Sequence, residues 1–138
     1  MPRIQLAAKL ENLEPMLAFV EQGAKKLGFD ANKLNRMHLA SEEALVNVIN
    51  YAYPNKYGNI EITYEVKEDK RFVVEIVDWG IPFDPLSLPK PDVEAPIEKR
   101  KVGGLGVSLI RTIMDEVNYR RDQNRNILTL TNWPTLHL

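Results

Sequence analysis

Apolar residues recur with helical spacing in two long stretches near the start of the chain. Between Asn12 and Leu27 most of them are three or four positions apart, and Gly28 follows where such a helix would stop. A second helix is predicted from about Asp30, a favourable N-cap residue, to Ala52, because a Tyr-Pro pair follows and disfavours helical backbone. Apolar residues cover most of its circumference, so we expect this helix to be largely buried.

Alternation of apolar and polar residues predicts five strands. They are Arg3–Ala8, Asn59–Val66, Arg71–Val77, Val117–Arg121 and Ile127–Asn132. Polar turns at 67–70 and 122–125 join the second strand to the third and the fourth to the fifth, and a third helix is predicted over Leu105–Asp115. This order lacks the regular strand-helix alternation of a doubly wound parallel sheet. We therefore predict an α+β fold, a two-layer sandwich in which a mixed, mostly antiparallel sheet carries about three helices on one face.

The periodicity is lost from Gly80 to Val102, where five of the nine prolines lie among charged residues. A loop of this length inside a compact domain is typical of a functional lid or of disorder. Its later part, about 86–102, is the candidate lid.

The composition narrows the classes of partner. The 138 residues predict a single domain over 1–138. With 18 basic and 19 acidic residues the net charge is −1, which lacks the basic excess that nucleic-acid binding usually requires. Cysteine is absent, which excludes disulfides and thiolate metal sites and fits a cytoplasmic location. No apolar run approaches the roughly 20 residues of a membrane span, and no secretory signal is evident.

A polar stripe on the second predicted helix is the first candidate for chemistry. Glu43, Asn47 and Asn50 are spaced i, i+4 and i+7, so they share one face of a helix that is otherwise apolar. A buried carboxylate or amide needs a partner, because an unpaired polar group typically costs about 1–3 kcal/mol. That partner can be protein, water or a ligand, and the stripe alone is also compatible with solvated or cross-helix contacts.

Two glycine-containing segments are the other candidates. Asp78 ends the third predicted strand, and an acid there can accept a hydrogen bond from an exocyclic amine such as that of adenine, while Gly80 lets backbone approach a flat ring. The same residues also suit a simple turn. Gly103, Gly104 and Gly106 open the third helix, where free backbone N–H groups favour an anion and Lys101 adds a cation. A flexible hinge before a helix is the alternative.

Together these segments resemble the three motifs of the GHKL superfamily of ATP-binding domains, which includes gyrase, MutL and histidine kinases. Ser41–Asn47 is similar to its N box, Asp78–Pro82 to its G1 box and Gly103–Gly106 to its G2 box. The match spans about residues 35 to 132. Within the superfamily the chain most resembles the small serine kinases that act as bacterial anti-sigma factors, since Ala52-Tyr53 and the Gly-x-Pro-Phe-Asp-Pro segment from Gly80 are typical of them.

The resemblance implies a Bergerat ATP-binding fold and roles for particular residues. Asn47 is expected to coordinate Mg²⁺, Glu43 to be the general base, and Asp78 to bind the adenine amine. The implied nucleotide-binding residues are Asn47, Asn50, Asp78, Gly80, Pro82, Lys101, Gly103, Gly104, Leu105, Gly106, Val107 and Thr129. The chain departs from the family at Tyr51, where a histidine is common, and at Asn126 and Ile127, which fall where a threonine pair is common, so that Thr129 is the nearby candidate.

The resemblance also implies a function. We expect an ATP- and Mg²⁺-dependent kinase that binds a sigma factor and phosphorylates a serine or threonine of an anti-anti-sigma (STAS-type) antagonist, with a homodimer formed through the first strand and helix. The alternative is a module that binds ATP or ADP and sequesters a partner without phosphoryl transfer. The catalytic domain of a histidine kinase is disfavoured, because neither His38 nor His137 is placed as a phosphoacceptor.

Overall fold

The computed structural model describes residues 1–87 and 104–134, with backbone alone for 104–108. The strands are β1 Arg3–Ala7, β2 Asn59–Val66, β3 Phe72–Asp78, β4 Glu116–Asp122 and β5 Arg125–Asn132. The helices are α1 Leu13–Ala24, α2 Ala31–Tyr51 and α3 Gly104–Ile113. The sheet order is β1-β2-β3-β5-β4, and every neighbouring pair is antiparallel. The predicted α+β class is confirmed, and the sheet described is fully antiparallel rather than mixed.

The core lies between one face of this sheet and the helices. Alternate residues of the central strands point inward, so β2, β3 and β5 each bury apolar side chains against α1, α2 and α3. The inward-facing residues at the centre are Ile60, Ile62, Val74, Ile76, Leu128 and Leu130. Small residues of α2 (Ala40, Ala44 and Val48) are fully or almost fully buried, so this helix sits close to the sheet. No helix within the described ranges combines the length and apolar character of a membrane span.

Element boundaries differ from the sequence predictions in detail. The predicted first helix is an α-helix flanked by two short 3₁₀ turns, Leu10–Asn12 and Lys25–Leu27. The β4–β5 turn is tighter than predicted, because Gln123 and Asn124 both adopt positive φ and connect the strands in two residues. The predicted N-cap is confirmed, since the Asp30 side chain accepts a hydrogen bond from the Lys33 N–H at 2.7 Å.

The long proline-rich loop is described only in its first part, which contains a 3₁₀ turn at Pro85–Ser87. Of the candidate lid at 86–102, positions 88–102 lie outside the described residues.

Candidate functional site

Asn47 is the most unusual polar residue in the described part of the chain. It is 0% exposed, and neither its Oδ1 nor its Nδ2 has a hydrogen-bond partner there. An unpaired buried amide destabilises the folded protein by about 1–3 kcal/mol. A protein keeps such an amide when something outside the chain supplies its hydrogen-bond partner. The carboxamide oxygen is a ligand that Mg²⁺ accepts.

The rest of the polar stripe is less buried than the sequence predicts. Glu43 is half-buried one turn before Asn47, whereas Asn50 is exposed three residues after it. Burial raises the pKa of Glu43, and the negative charge of Glu42 raises it further. A carboxylate with a raised pKa is a stronger base when it is ionised, which suits proton removal from a hydroxyl. The structure therefore places an amide and a basic carboxylate one turn apart, and Asn50 outside that pair.

Asp78 is the last residue of β3 and is almost completely buried, at 2% exposure. Its Oδ1 accepts hydrogen bonds from Asn126 Nδ2 at 2.8 Å and from the Gly80 N–H at 2.9 Å. Burial raises the pKa of Asp78, and these two hydrogen bonds and the charge of Arg121 oppose that rise. The carboxyl group is thus held in a fixed orientation at the end of the central strand.

A direct backbone connection joins the end of α2 to the turn after Asp78. The Ile81 N–H donates to the Ala52 carbonyl at 2.9 Å. A Cβ on Gly80 would lie 2.0 Å from that same oxygen, so only glycine fits there. The Tyr53 hydroxyl adds a second link, because it accepts from the Trp79 N–H at 2.8 Å and donates to a carbonyl of β2 at 2.6 Å. The described structure thus explains Gly80 by its contact with the helix end.

The helix α3, which the glycine-rich segment opens, packs against α2. Lys33, in the first turn of α2, forms a 2.9 Å ion pair with Asp115, which follows α3. Because α2 and α3 pack against each other, α3 runs back along α2. At about 1.5 Å per residue, the ten residues of α3 span about the length of α2 from Lys33 to Glu43, so we infer that the N-terminal end of α3 lies near the turn that carries Glu43. Gly104 begins α3, and the first backbone N–H groups of an α-helix have no partner within the helix.

The remaining predicted residues fall in different places. Lys101 and Gly103 lie outside the described residues, and Leu105, Gly106 and Val107 are described only as backbone in the first turn of α3. Pro82 is exposed in the turn after β3. Thr129 pairs with Glu75 and therefore lies on the sheet face that points away from the helices.

The residue of β5 that faces Asp78 is Asn126, three positions before Thr129. Sequence reasoning placed Asn126 only approximately, and its contacts emerge from the antiparallel register. Trp79 lines a hollow with Tyr53, Tyr57 and the start of β2.

The arrangement suits a magnesium–phosphate ligand better than a metal held by protein alone. Among the residues described, no group of three or more His, Asp or Glu side chains is placed to hold a metal ion. An ion at Asn47 would take its other ligands from phosphate oxygens and water, which Mg²⁺ commonly does. The unpartnered amide, the basic carboxylate and the helix N-terminus thus fit a nucleoside phosphate with its ion.

The fold and the site define the class of protein. The chain belongs to the family described as the histidine kinase-like ATPase domain, whose model matches residues 6–132. It is similar to serine-protein kinase RsbW of Bacillus cereus, with 29% identity to the protein of one strain over 129 residues, covering 91% of this chain and 80% of the relative. The protein of the same name from a second B. cereus strain is 30% identical over the same coverage.

Solved structures share the fold. The RsbU and RsbW domains of Rv1364c from Mycobacterium tuberculosis superpose with a TM-score of 0.64 at 14% identity, covering 96% of this chain and 32% of that chain. The histidine kinase domain of a blue-light activated kinase from Erythrobacter litoralis EL346 gives a TM-score of 0.52 at 15% identity, covering 88% and 58%. At these identities the likeness concerns the fold alone.

Proposed function

We propose that this chain is an ATP-dependent protein serine/threonine kinase that binds a sigma factor and phosphorylates a STAS-type anti-anti-sigma protein. The observation that carries the proposal is the Asn47 amide, which is fully buried without a partner among the described residues, one helical turn from the basic carboxylate of Glu43. The similar Bacillus proteins are named serine-protein kinases, which supports protein kinase activity over the other activities of the family.

ATP would span the space between β3 and the start of α3. The Asp78 carboxylate would accept a hydrogen bond from the adenine amine, and the free backbone N–H groups around Gly104 and Gly106 would face the phosphates. Asn47 would supply the protein ligand to Mg²⁺. When bound, Mg²⁺ neutralises phosphate charge and orients the terminal phosphate, which is most of what phosphoryl transfer requires.

Glu43 would act on the protein substrate. As the serine or threonine oxygen attacks the γ-phosphorus, the hydroxyl proton passes to the Glu43 carboxylate. The bond from the γ-phosphorus to the bridging oxygen breaks, and ADP leaves with the electron pair. The raised pKa of Glu43 brings its basicity closer to neutral pH, where proton transfer is most efficient.

The direct test measures phosphate transfer from ATP to a purified STAS-type protein. Glu43→Gln should lower the transfer rate about 10²–10⁴-fold while ATP binding remains. Glu68→Gln is the matched control, because it removes an exposed carboxylate from the turn between β2 and β3, outside the site, and should leave transfer close to wild type. Undiminished transfer by Glu43→Gln would refute its role as the base.

The partner assignments rest on the resemblance to anti-sigma kinases. A sigma-factor partner implies a cytoplasmic location and a surface that exchanges partners when the antagonist is phosphorylated. Co-purification of the chain with candidate sigma factors, with and without ATP, tests this step, and analytical ultracentrifugation tests the proposed homodimer. ATP binding without transfer to any STAS-type protein would instead favour the module that sequesters a partner without catalysis.

A further inference from the structure

The side chain of Asn126 is the centre of a hydrogen-bond network next to Asp78. It is 3% exposed and uses both ends of its amide. The oxygen accepts from the Phe83 N–H at 3.2 Å, the Tyr119 hydroxyl at 2.6 Å and the Arg121 guanidinium at 3.1 Å, while the nitrogen donates to Asp78 Oδ1 at 2.8 Å and to the Ile81 carbonyl at 2.7 Å. Five contacts thus converge on one buried amide.

This network allows only one orientation of the Asn126 amide. The Phe83 N–H and the Arg121 guanidinium can only donate, so the group that faces them must be the oxygen. A flipped amide would set N–H against N–H on that side and oxygen against the Asp78 carboxylate on the other. The two N–H bonds of Asn126 therefore have to point at Asp78 and at the Ile81 carbonyl.

The fixed amide determines what Asp78 can offer to a ligand. Oδ1 of Asp78 receives two N–H donors, from Asn126 and from Gly80, and the described residues supply no donor to Oδ2. Both donors stabilise the negative charge of the ionised carboxylate and so oppose the rise in the pKa of Asp78 that burial causes. When Asp78 is ionised, a ligand meets a single free acceptor, Oδ2, and an N–H group is the complementary partner.

We propose that Asn126 is the positioning residue that makes this site specific for 6-aminopurines, by holding Asp78 as an ionised acceptor that rejects the 6-oxo group of hypoxanthine or guanine. The proposal rests on the proposed ATP-binding function and deepens it. Asn126 acts through Asp78 and does not itself need to contact the base. A 6-oxo group would place its oxygen against the Asp78 carboxylate, so that two hydrogen-bond acceptors would face each other with no donor between them.

The charged and titratable groups around Asp78 and Asn126 come from each adjoining element. Arg121 and Tyr119 lie on β4, Asp84 follows the turn after β3, and Tyr53 is next to the end of α2. Arg121 is the cation of this set and contacts the Gly80 carbonyl at 2.9 Å as well as Asn126. Its charge favours ionised Asp78 and opposes the effect of burial.

The test compares binding of ADP and inosine diphosphate, which differ at the 6-position of the base, by isothermal titration calorimetry. Wild type should prefer ADP by at least about tenfold, the discrimination expected when a buried acceptor is left unpaired. Asn126→Asp keeps the oxygen for its three donors but turns the donor toward Asp78 into an acceptor. The ADP preference should then fall toward one at pH 8.

Lower pH should restore the preference of this variant. Two carboxylates in contact take up one proton between them, with a raised pKa, and a protonated carboxyl group at position 126 can again donate to Asp78. The preference of Asn126→Asp should therefore return toward the wild-type value as the pH falls from 8 to 6. Asn118→Asp on the exposed side of β4 introduces the same charge change and should keep the wild-type preference throughout.

A second variant covers the case in which Asn126→Asp does not fold. Asn126→Thr keeps one hydroxyl donor for Asp78 and suits a strand, so it should retain most of the ADP preference. An equal ADP preference in wild type and Asn126→Asp at pH 8, or loss of the preference in a folded Asn126→Thr, overturns the role of Asn126 and leaves ATP binding intact. Failure of wild type to bind either nucleotide overturns the proposed function instead.

Discussion

Replacement of Asn47 by leucine should stabilise the ligand-free protein and abolish its Mg²⁺-dependent nucleotide binding. The Asn47 amide is fully buried without a partner in the described structure, so folding removes it from water without compensation. Leucine has the same branching at Cγ and no polar atoms. The change therefore removes the desolvation cost and the proposed metal ligand together.

The expected gain in the free energy of unfolding is about 1–2 kcal/mol. Desolvation of an unpaired amide costs about 1–3 kcal/mol, and the larger methyl groups of leucine offset part of the gain by crowding. At this chain length each kcal/mol raises Tm by about 3–5 °C. When Mg·ADP is present at 100 times its Kd, the free energy of unfolding of wild type should increase by about 2.7 kcal/mol, whereas that of Asn47→Leu should not change.

Urea unfolding with and without Mg·ADP measures both effects. Asn35→Leu is the matched control, since it removes an exposed amide from the same helix and should change stability by less than about 0.5 kcal/mol. An Asn47→Leu protein that is less stable than wild type without ligand, or that is still stabilised by Mg·ADP, would contradict the reasoning.

Three further perturbations test other parts of the structure. Gly80→Ala places a Cβ 2.0 Å from the carbonyl oxygen of Ala52, so it should lower the free energy of unfolding in urea by about 3 kcal/mol and weaken ADP binding. Gly28→Ala is its control: the new Cβ meets open space at φ +82°, so this change should cost about 1–2 kcal/mol and leave ADP binding unchanged. Tyr53→Phe removes a hydroxyl that bridges two backbone groups and should lower the unfolding free energy by about 1–3 kcal/mol. The value of kcat/KM should decrease as the pH is lowered through the pKa of Glu43, because Glu43 must be ionised to act, and burial places this pKa above the ordinary value for glutamate. Glu42→Gln should shift the decrease to lower pH, because the charge of Glu42 is the second cause of the raised pKa.

The order of the elements was predictable because each periodic segment has one dominant pattern. The bounds of β2 match those predicted, since Asn59 and Val66 both adjoin turn residues. The bounds of α1 do not, because helical spacing does not separate an α-helix from the 3₁₀ turns at its ends. The fully antiparallel pairing was not predictable from spacing, which carries no information on strand order.

The candidate site was predictable where a residue type has few structural uses. An asparagine on an apolar helix face required a partner, and the part of the chain that the structure describes supplies none to Asn47. Asn50 shares that face by spacing but lies near the exposed end of the helix. The Asn126 network was hidden, because it depends on the register that sets Asn126 opposite Asp78, and a shift of one residue would have turned it to the other face.

The sheet order has a consequence for association by strand addition. Within the described residues, β1 and β4 are the edge strands, and each exposes backbone groups that another chain could pair with. β4 is guarded by charge, with Glu116, Arg120, Arg121 and Asp122 at four of its seven positions. β1 is only five residues long and follows Pro2. Open-ended lateral growth into fibrils is therefore disfavoured at both edges.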